Sequence, residues 1–550
     1  MKLPFHLCLV LSLLLTPALA CGGFQAGVSN GYTIEVIANP GASPWLTQAA
    51  QAFNEKPPKL ENGRAVQVTL RSMEAGQVVA ALSGDAPGPA PALWVPDDPV
   101  WTDILAEKGQ AAFQGDCASL ASSPLVIAVW RPLAEALGWP GRSLGWLDMG
   151  SLAADPSAWL YYSGGQFSSR LRLSHTNPGL AHSGSSTLLA VVQAALSKTE
   201  PVSAEEVQQP MVQASVGAFE SAVSSFGADT ELLGQAMRQR GVNYLGAAVL
   251  YESTVLRYAE GDPQLIPVYP FEGTFVATHP ACLNRAVDGD AQQAARLFRD
   301  YLLGEKAQEL AVANGLRPAR SETPLRAPLD AAHGVDLAQP AVVFAPPSAA
   351  NIYAVQSLWQ SARKHVNLVM VIDTSGSMQG SKMNSVRQSA LQFVQQMGSE
   401  DYLSLISYAS AQPTLELEYV QVGPAREQIS RKIAALQAKG GTPLYDSIGA
   451  AAEVVAGHLS SQNSNVIVLL SDGLDTASNR YGFDQALFDT AAANDTTVFT
   501  IAYGGDADEK LLTKLAQNAN GNFYLGSEAN IAAIYQEMSA AFGGSVGIGR

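Results

Sequence analysis

The chain has 550 residues, 47% hydrophobic and 15% charged, with 33 lysines and arginines against 49 acidic residues for a formal net charge of −16. That length exceeds one ordinary core and suits two to four domains, and the apolar content excludes a chain that stays disordered. An acidic balance with no basic run excludes a general nucleic-acid binder, and beyond the N-terminus no run of 18 apolar residues offers an internal membrane span.

Residues 1–20 read as a secretory signal peptide: Lys2, a short apolar stretch from Leu7 to Leu15, then Ala18 and Ala20 before a cleavage point. Cys21 follows directly, and this end resembles a bacterial lipoprotein lipobox, although Ala18 stands where leucine is usual. The resemblance implies lipidation of Cys21 and a membrane anchor through the N-terminal lipid; the alternative is simple secretion or a periplasmic location. Of four cysteines, Cys8 leaves with the signal peptide. Lipidation of Cys21 leaves Cys117 and Cys282 as an even pair in an oxidising compartment, either disulfide-bonded or as two buried thiols.

From residue 31 to 318 short β-like runs alternate with amphipathic helices, which predicts an α/β domain. Residues 33–37 and 65–70 alternate as strands, and Trp45, Leu46, Ala49, Ala52 and Phe53 share one helical face between them. The continuous apolar run 124–129 predicts a strand buried on both faces. Residues 295–311 read as one long helix, stopped by Asn314-Gly315 before Pro318. Residues 319–364 form a proline-rich connection, partly wrapped on a domain surface, that ends in a helix over 352–363.

The third region, 365–545, has a cleaner rhythm. Strands are expected at 366–372, 402–407, 466–470 and 497–502, with an edge strand at 415–422. Met383, Val386, Ala390, Phe393, Val394 and Met397 form a helical stripe between two of them. Strands separated by helical crossovers imply a doubly wound, mostly parallel sheet.

Asp373, Ser375 and Ser377 alternate in the loop after the first of these strands, where strand ends line the ligand crevice of an open α/β sheet. One carboxylate and two hydroxyls there suit a hard cation, Mg²⁺, with Mn²⁺ or Ca²⁺ as alternatives. Gly440-Gly441-Thr442-Pro443 and Ser471-Asp472-Gly473 bring further oxygens to other strand ends. The competing reading of Asp373–Ser377 is a plain capped helix start, and Asp475 and Asp484 read as solvated helix-start residues. Together the three loops resemble a von Willebrand factor A domain, a Rossmann-like fold. The resemblance implies a metal-ion-dependent adhesion site of Asp373, Ser375, Ser377, Thr442 and Asp472. It also implies a protein partner that completes the metal through an acidic side chain.

Residues 31–318 resemble the extracytoplasmic solute-binding proteins of ATP-driven importers, with a two-lobed, type 2 periplasmic-binding-like fold. The resemblance rests on three segments. They are the apolar run from Ser123 to Ala128, the loop His175-Thr176-Asn177-Pro178-Gly179 leading to Ser183–Thr187, and the stretch from Phe298 to Pro318. The candidate ligand residues for a small polar solute are Asn39, Ser43, Ser183, Ser185, Ser186 and Glu252. Hydroxyls and free N–H groups at a helix start suit an anion or polar ligand, or serve only as caps. Arginines are not concentrated at these loops, so an oxyanion is not specified. Phe271 and Trp45 read as core.

No H-E-x-x-H and no P-loop occurs, and the seven histidines are scattered singly, so the expected function is binding and not catalysis. Two roles fit: metal-dependent protein recognition or assembly at the cell envelope, and solute capture for an ABC-type import system.

Overall fold

The structure is a computed structural model. It describes residues 31–544 apart from 85–87, 89, 163, 166–170, 224, 411, 461 and 483–495. The expected signal segment, Cys21 and Asp484 lie outside the described residues.

The first lobe is built on the strand Gly31–Ala38, which runs parallel to Ala65–Ser72 and to Leu93–Val95. Helix Ser43–Glu55 begins with a proline in its first turn and buries Trp45, Leu46, Ala49 and Phe53 against that sheet. The Trp45 indole donates to the Ala307 carbonyl at 2.7 Å, which fixes this helix to the last helices of the lobe.

Two chain segments cross to the second lobe as a ribbon. Cys117–Ser119 pairs antiparallel with Pro280–Leu283, and Cys117 and Cys282 are joined by a disulfide. On the other side of the crossing, Ala121–Trp130 pairs with Val276–Ala277. This ten-residue strand also pairs with Ala247–Tyr251 and Leu265–Val268 to form the second-lobe sheet, and nearly all of it is buried. Its continuous apolar character follows from helices covering both faces.

The single helix expected over 295–311 is two helices, Gly289–Leu302 and Glu305–Ala313. Gly304 separates them, and a Cβ there would stand 3.0 Å from the Tyr301 carbonyl. Phe298, Leu302, Ala307 and Ala311 nevertheless share one core, so the break costs the apolar stripe nothing. Gly315 follows with φ +75, a left-handed conformation that favours glycine.

The connection after Pro318 lies along the second lobe, where Thr274 exchanges backbone bonds with Val342 and Phe344 at 3.1 and 2.9 Å. Helix Ala349–Ala362 then enters the second-lobe core through Ile352, Val355, Leu358 and Trp359. Trp359 meets Phe226 edge-on, with ring centroids 5.0 Å apart. One turn later, the fully buried Arg363 donates to both carboxylate oxygens of Asp401, at 3.0 and 3.1 Å, and so anchors the next domain.

Among the described residues that domain has six strands in the order Gln412–Gln421, Tyr402–Ala409, His365–Asp373, Asn463–Ser471, Thr496–Tyr503 and Phe523–Gly526. All neighbours are parallel except the first pair, so Gln412–Gln421 is an antiparallel edge. The opposite edge, Phe523–Gly526, carried no clear period in the sequence. Apolar clusters lie on both faces of the sheet. The domain's last helix, Ile531–Ala541, returns to the second lobe: Asn177 donates to the carbonyls of Ala540 and Gly544 at 2.9 and 3.0 Å.

Candidate functional sites

Strand His365–Asp373 ends with the Asp373 carboxylate fully buried between neighbouring strand ends. Its Oδ1 accepts the Ser375 N–H at 2.8 Å, and its Oδ2 accepts the Ser471 hydroxyl at 3.2 Å and the Asp472 N–H at 3.4 Å. Ser375 Oγ lies 3.0 Å from Ser377 Oγ, and the Ser377 hydroxyl donates to Asp472 Oδ1 at 2.7 Å. Asp373, Ser375, Ser377 and Asp472 therefore form one connected oxygen cluster. Ser377 is exposed at its rim, while Asp373, Ser375 and Asp472 are buried. Thr442 reaches the same region from the third loop, held by mutual bonds with Thr476 at 2.9 Å, and the Gly376 N–H donates to Gly440.

Burial, and then the neighbouring Asp472 charge, push the Asp373 carboxyl above its ordinary range, against the pull of its bonds to Ser375. Two residues the motif did not single out complete the arrangement. Lys382, in the first turn of helix Ser381–Gln396, donates to Asp472 Oδ2 at 2.8 Å. Tyr408 donates to the Leu470 carbonyl at 2.8 Å and braces the strand end from below. No sequence signal marked Lys382, because only the tertiary fold brings that helix start to the loop of Asp472.

The donor set fits a hard divalent cation: two buried carboxylates, of which one is strained by its neighbour's charge, and hydroxyls around them. Among the described residues no group of three or more His, Cys, Asp and Glu converges, in keeping with a site whose remaining donors are hydroxyls. Asp373, Ser375, Ser377, Thr442 and Asp472 would hold the ion, which would supply an open position for an anionic ligand. Asp475 is tied down, accepting the Tyr445 N–H at 3.1 Å and the Ser478 hydroxyl.

The second candidate site lies between the lobes. They touch directly, since the Gly76 N–H donates to the Leu180 carbonyl at 2.8 Å. Asn39 is fully buried: its Oδ1 accepts the Ala42 N–H at 3.0 Å, and its Nδ2 meets the Val95 carbonyl and His279 Nδ1 at 3.1 and 3.0 Å. Ser43 Oγ donates to the Asn39 carbonyl at 2.8 Å and lines a cavity of about 510 Å³ at the cleft.

Helix His182–Leu196 starts against the loop before it, and a Cβ at Gly184 would meet the Thr176 carbonyl at 2.2 Å. Only glycine permits that approach. The hydroxyls of this start turn inward: Ser183 to Thr176 at 2.6 Å, Ser185 to the Pro178 carbonyl at 2.8 Å, and Ser186 to His182 Nε2 at 3.0 Å. Glu252 is fully buried and bidentate with Arg317 at 2.9 and 2.7 Å, and the Tyr269 hydroxyl donates to it as well. Trp45 is core, but Phe271 is 56% exposed, a departure from the sequence reading.

The sequence reading did not single out the groups that stand unpartnered around the cleft. Asp97 Oδ2, His279 Nε2 and His182 Nδ1 are buried without a hydrogen-bond partner among the described residues, and the buried Tyr251 hydroxyl faces the Asp97 carboxyl group. They come from separate strand ends and one helix start, and topology alone assembles them.

A two-lobed α/β binding body joined to a parallel sheet with a strand-end oxygen cluster defines the class of protein. The chain belongs to the bacterial extracellular solute-binding protein family, whose model matches residues 34–317, and it carries a von Willebrand factor type A domain matched over 367–537. A curated relative, the uncharacterized protein sll0103 of Synechocystis sp., is 30% identical over 164 residues. That match spans 29% of this chain and 37% of the relative's length. Among solved structures, the sulfate-binding protein SubI from Mycobacterium tuberculosis H37Rv is similar at 17% identity, covering 58% of this chain and 95% of its own, with a TM-score of 0.41. A von Willebrand factor type A protein from Catenulispora acidiphila matches at 20% identity over 32% of this chain and 42% of its own, with a TM-score of 0.30.

Proposed function

We propose that this is an exported binding protein, anchored to the membrane by lipid on Cys21, that uses the strand-end site of its von Willebrand factor A domain for metal-dependent protein recognition at the cell envelope. The observation that carries this reading is the cluster of Asp373, Ser375, Ser377 and Asp472, linked by bonds of 2.7 to 3.4 Å at the ends of two adjacent strands. An ion held there, Mg²⁺ in the first instance, leaves a position for a partner's carboxylate. The test is capture of envelope proteins by the purified chain with Mg²⁺ and with EDTA, wild type beside Asp373→Ala. Equal capture in all four samples refutes the metal-dependent role. Intact-mass measurement of the mature protein tests the anchor, with acyl mass expected on Cys21.

A second reading, solute capture by the two-lobed domain, is favoured by the interlobe cavity and by the buried, unpartnered polar atoms of Asp97, His182 and His279. Buried polar groups are ordinarily satisfied, and a bound solute would satisfy these.

A further inference from the structure

We infer that the cleft between the lobes takes an organic cation carrying an ammonium group. This deepens the solute-capture reading and rests on it. Two carboxylates line the cavity from opposite lobes, Glu74 from the first and Asp229 from the second, and the buried Asp97 acts on Glu74 from within the first lobe. Glu74 is 5% and Asp97 2% exposed. Glu74 is their common neighbour, opposed by the charges of both Asp97 and Asp229. Among the described residues no lysine or arginine lines the cavity or pairs with any of the three. Glu231 at the rim is already matched by Arg257.

Bringing the lobes together buries like charges, which is unfavourable unless an opposite charge enters with them. Burial raises both Glu74 and Asp97 above the ordinary carboxylate range; the Asp97 and Asp229 charges add to this at Glu74, whereas at Asp97 the His182 charge and the Tyr251 hydroxyl pull the other way and Asp98 adds to the rise. Glu74 lines the cavity with no cationic partner, so an ammonium there would meet its carboxylate and that of Asp229. Outside the cavity lining, Asp97 Oδ2, His182 Nδ1 and His279 Nε2 are buried without a partner among the described residues and add polar surroundings to the closed cleft. An anion would meet the Glu74 and Asp229 carboxylates with no lysine or arginine in the lining. A bare metal ion would leave most of a cavity of about 510 Å³ empty, and the walls include Met73, Leu232 and Pro44, which suit a carbon skeleton.

The full mature chain should be denatured as purified and the released small molecules identified by mass spectrometry. The refolded protein is then titrated by thermal shift and calorimetry with putrescine, spermidine, choline, sulfate, molybdate, Zn²⁺ and Mn²⁺. The expected result is release of an amine, or a thermal shift with an ammonium probe alone, that weakens at least tenfold in both Glu74→Gln and Asp97→Asn. The empty Glu74→Gln protein should be at least as stable as wild type, because one repelling charge is gone. A shift with sulfate, molybdate or a metal but no ammonium probe overturns the cation class and leaves solute capture standing. Nothing released and nothing bound overturns both. Ammonium binding unchanged in both variants overturns the site.

Discussion

The Lys382 ammonium stands 2.8 Å from Asp472 Oδ2, on the carboxylate whose other oxygen accepts the Ser377 hydroxyl. A cation supplied by the chain itself thus shares the site with any metal that enters. Lys382→Met removes that competitor, so Mg²⁺ should bind about two- to fivefold tighter by calorimetry, the range expected for a partly exposed ion pair. Asp373→Ala should show no measurable Mg²⁺ heat, with a loss of about 1–3 kcal/mol in stability because the Ser375 and Asp472 amides lose their acceptor. Unaltered Mg²⁺ affinity in both variants would place the metal elsewhere.

Arg363 and Asp401 form a buried pair at the entry to the C-terminal domain, and Asp401 also accepts the Val366 and Gly398 N–H groups at 2.9 and 2.8 Å. Asp401→Ala strands a buried guanidinium and two amides. The loss should be about 3–5 kcal/mol in urea unfolding. A loss below about 1 kcal/mol would mean that water replaces the carboxylate.

The Cys117–Cys282 bond closes a separation of 165 residues. In the chain-entropy model a loop of that size stabilises the fold by about 5 kcal/mol, reduced by any residual structure in the unfolded chain. Denaturant midpoints with and without reductant should therefore separate widely. Coincident curves would refute the estimate.

Burial holds the His279 imidazole down at about 3. Between the ordinary imidazole value and that one, the unfolded chain takes up a proton that the folded protein refuses, so stability falls as pH falls. Asp229 acts with the opposite sign. Burial raises it to about 6, so below that pH the folded protein takes the proton first and gains stability down to the ordinary carboxylate value. Glu74 and Asp97, also raised, act as Asp229 does. Asp229→Asn removes one compensating group. The variant should lose about 1–2 kcal/mol more than wild type between pH 6 and 4, discounted for its partial exposure. Parallel pH curves would count against this.

The oxygen cluster at the sheet end was legible because its ligands occupy short loops directly after strands, where the motif and the topology coincide. The cleft was not. Glu74, Asp97 and Asp229 lie in three loops far apart in sequence, each unremarkable as a helix-start or turn acid until the lobes meet. The break at Gly304 escaped for a different reason. Phe298 and Ala307 face the same core on either side of it, so apolar spacing carried no mark of the interruption. Phe271 misled because an aromatic next to an apolar strand usually packs inward, whereas this one follows Pro270 out into solvent.

The ribbon between the lobes pairs residues 117–119 with 280–283 before the crossing and 121–130 with 276–277 after it, and the disulfide lies on the first-lobe side alone. The two strands therefore cannot slide past each other where they leave the first lobe. The bond holds these two strands in register at the edge of the first lobe, so any turn of one lobe against the other falls beyond it, at residues 119–121 and 277–280.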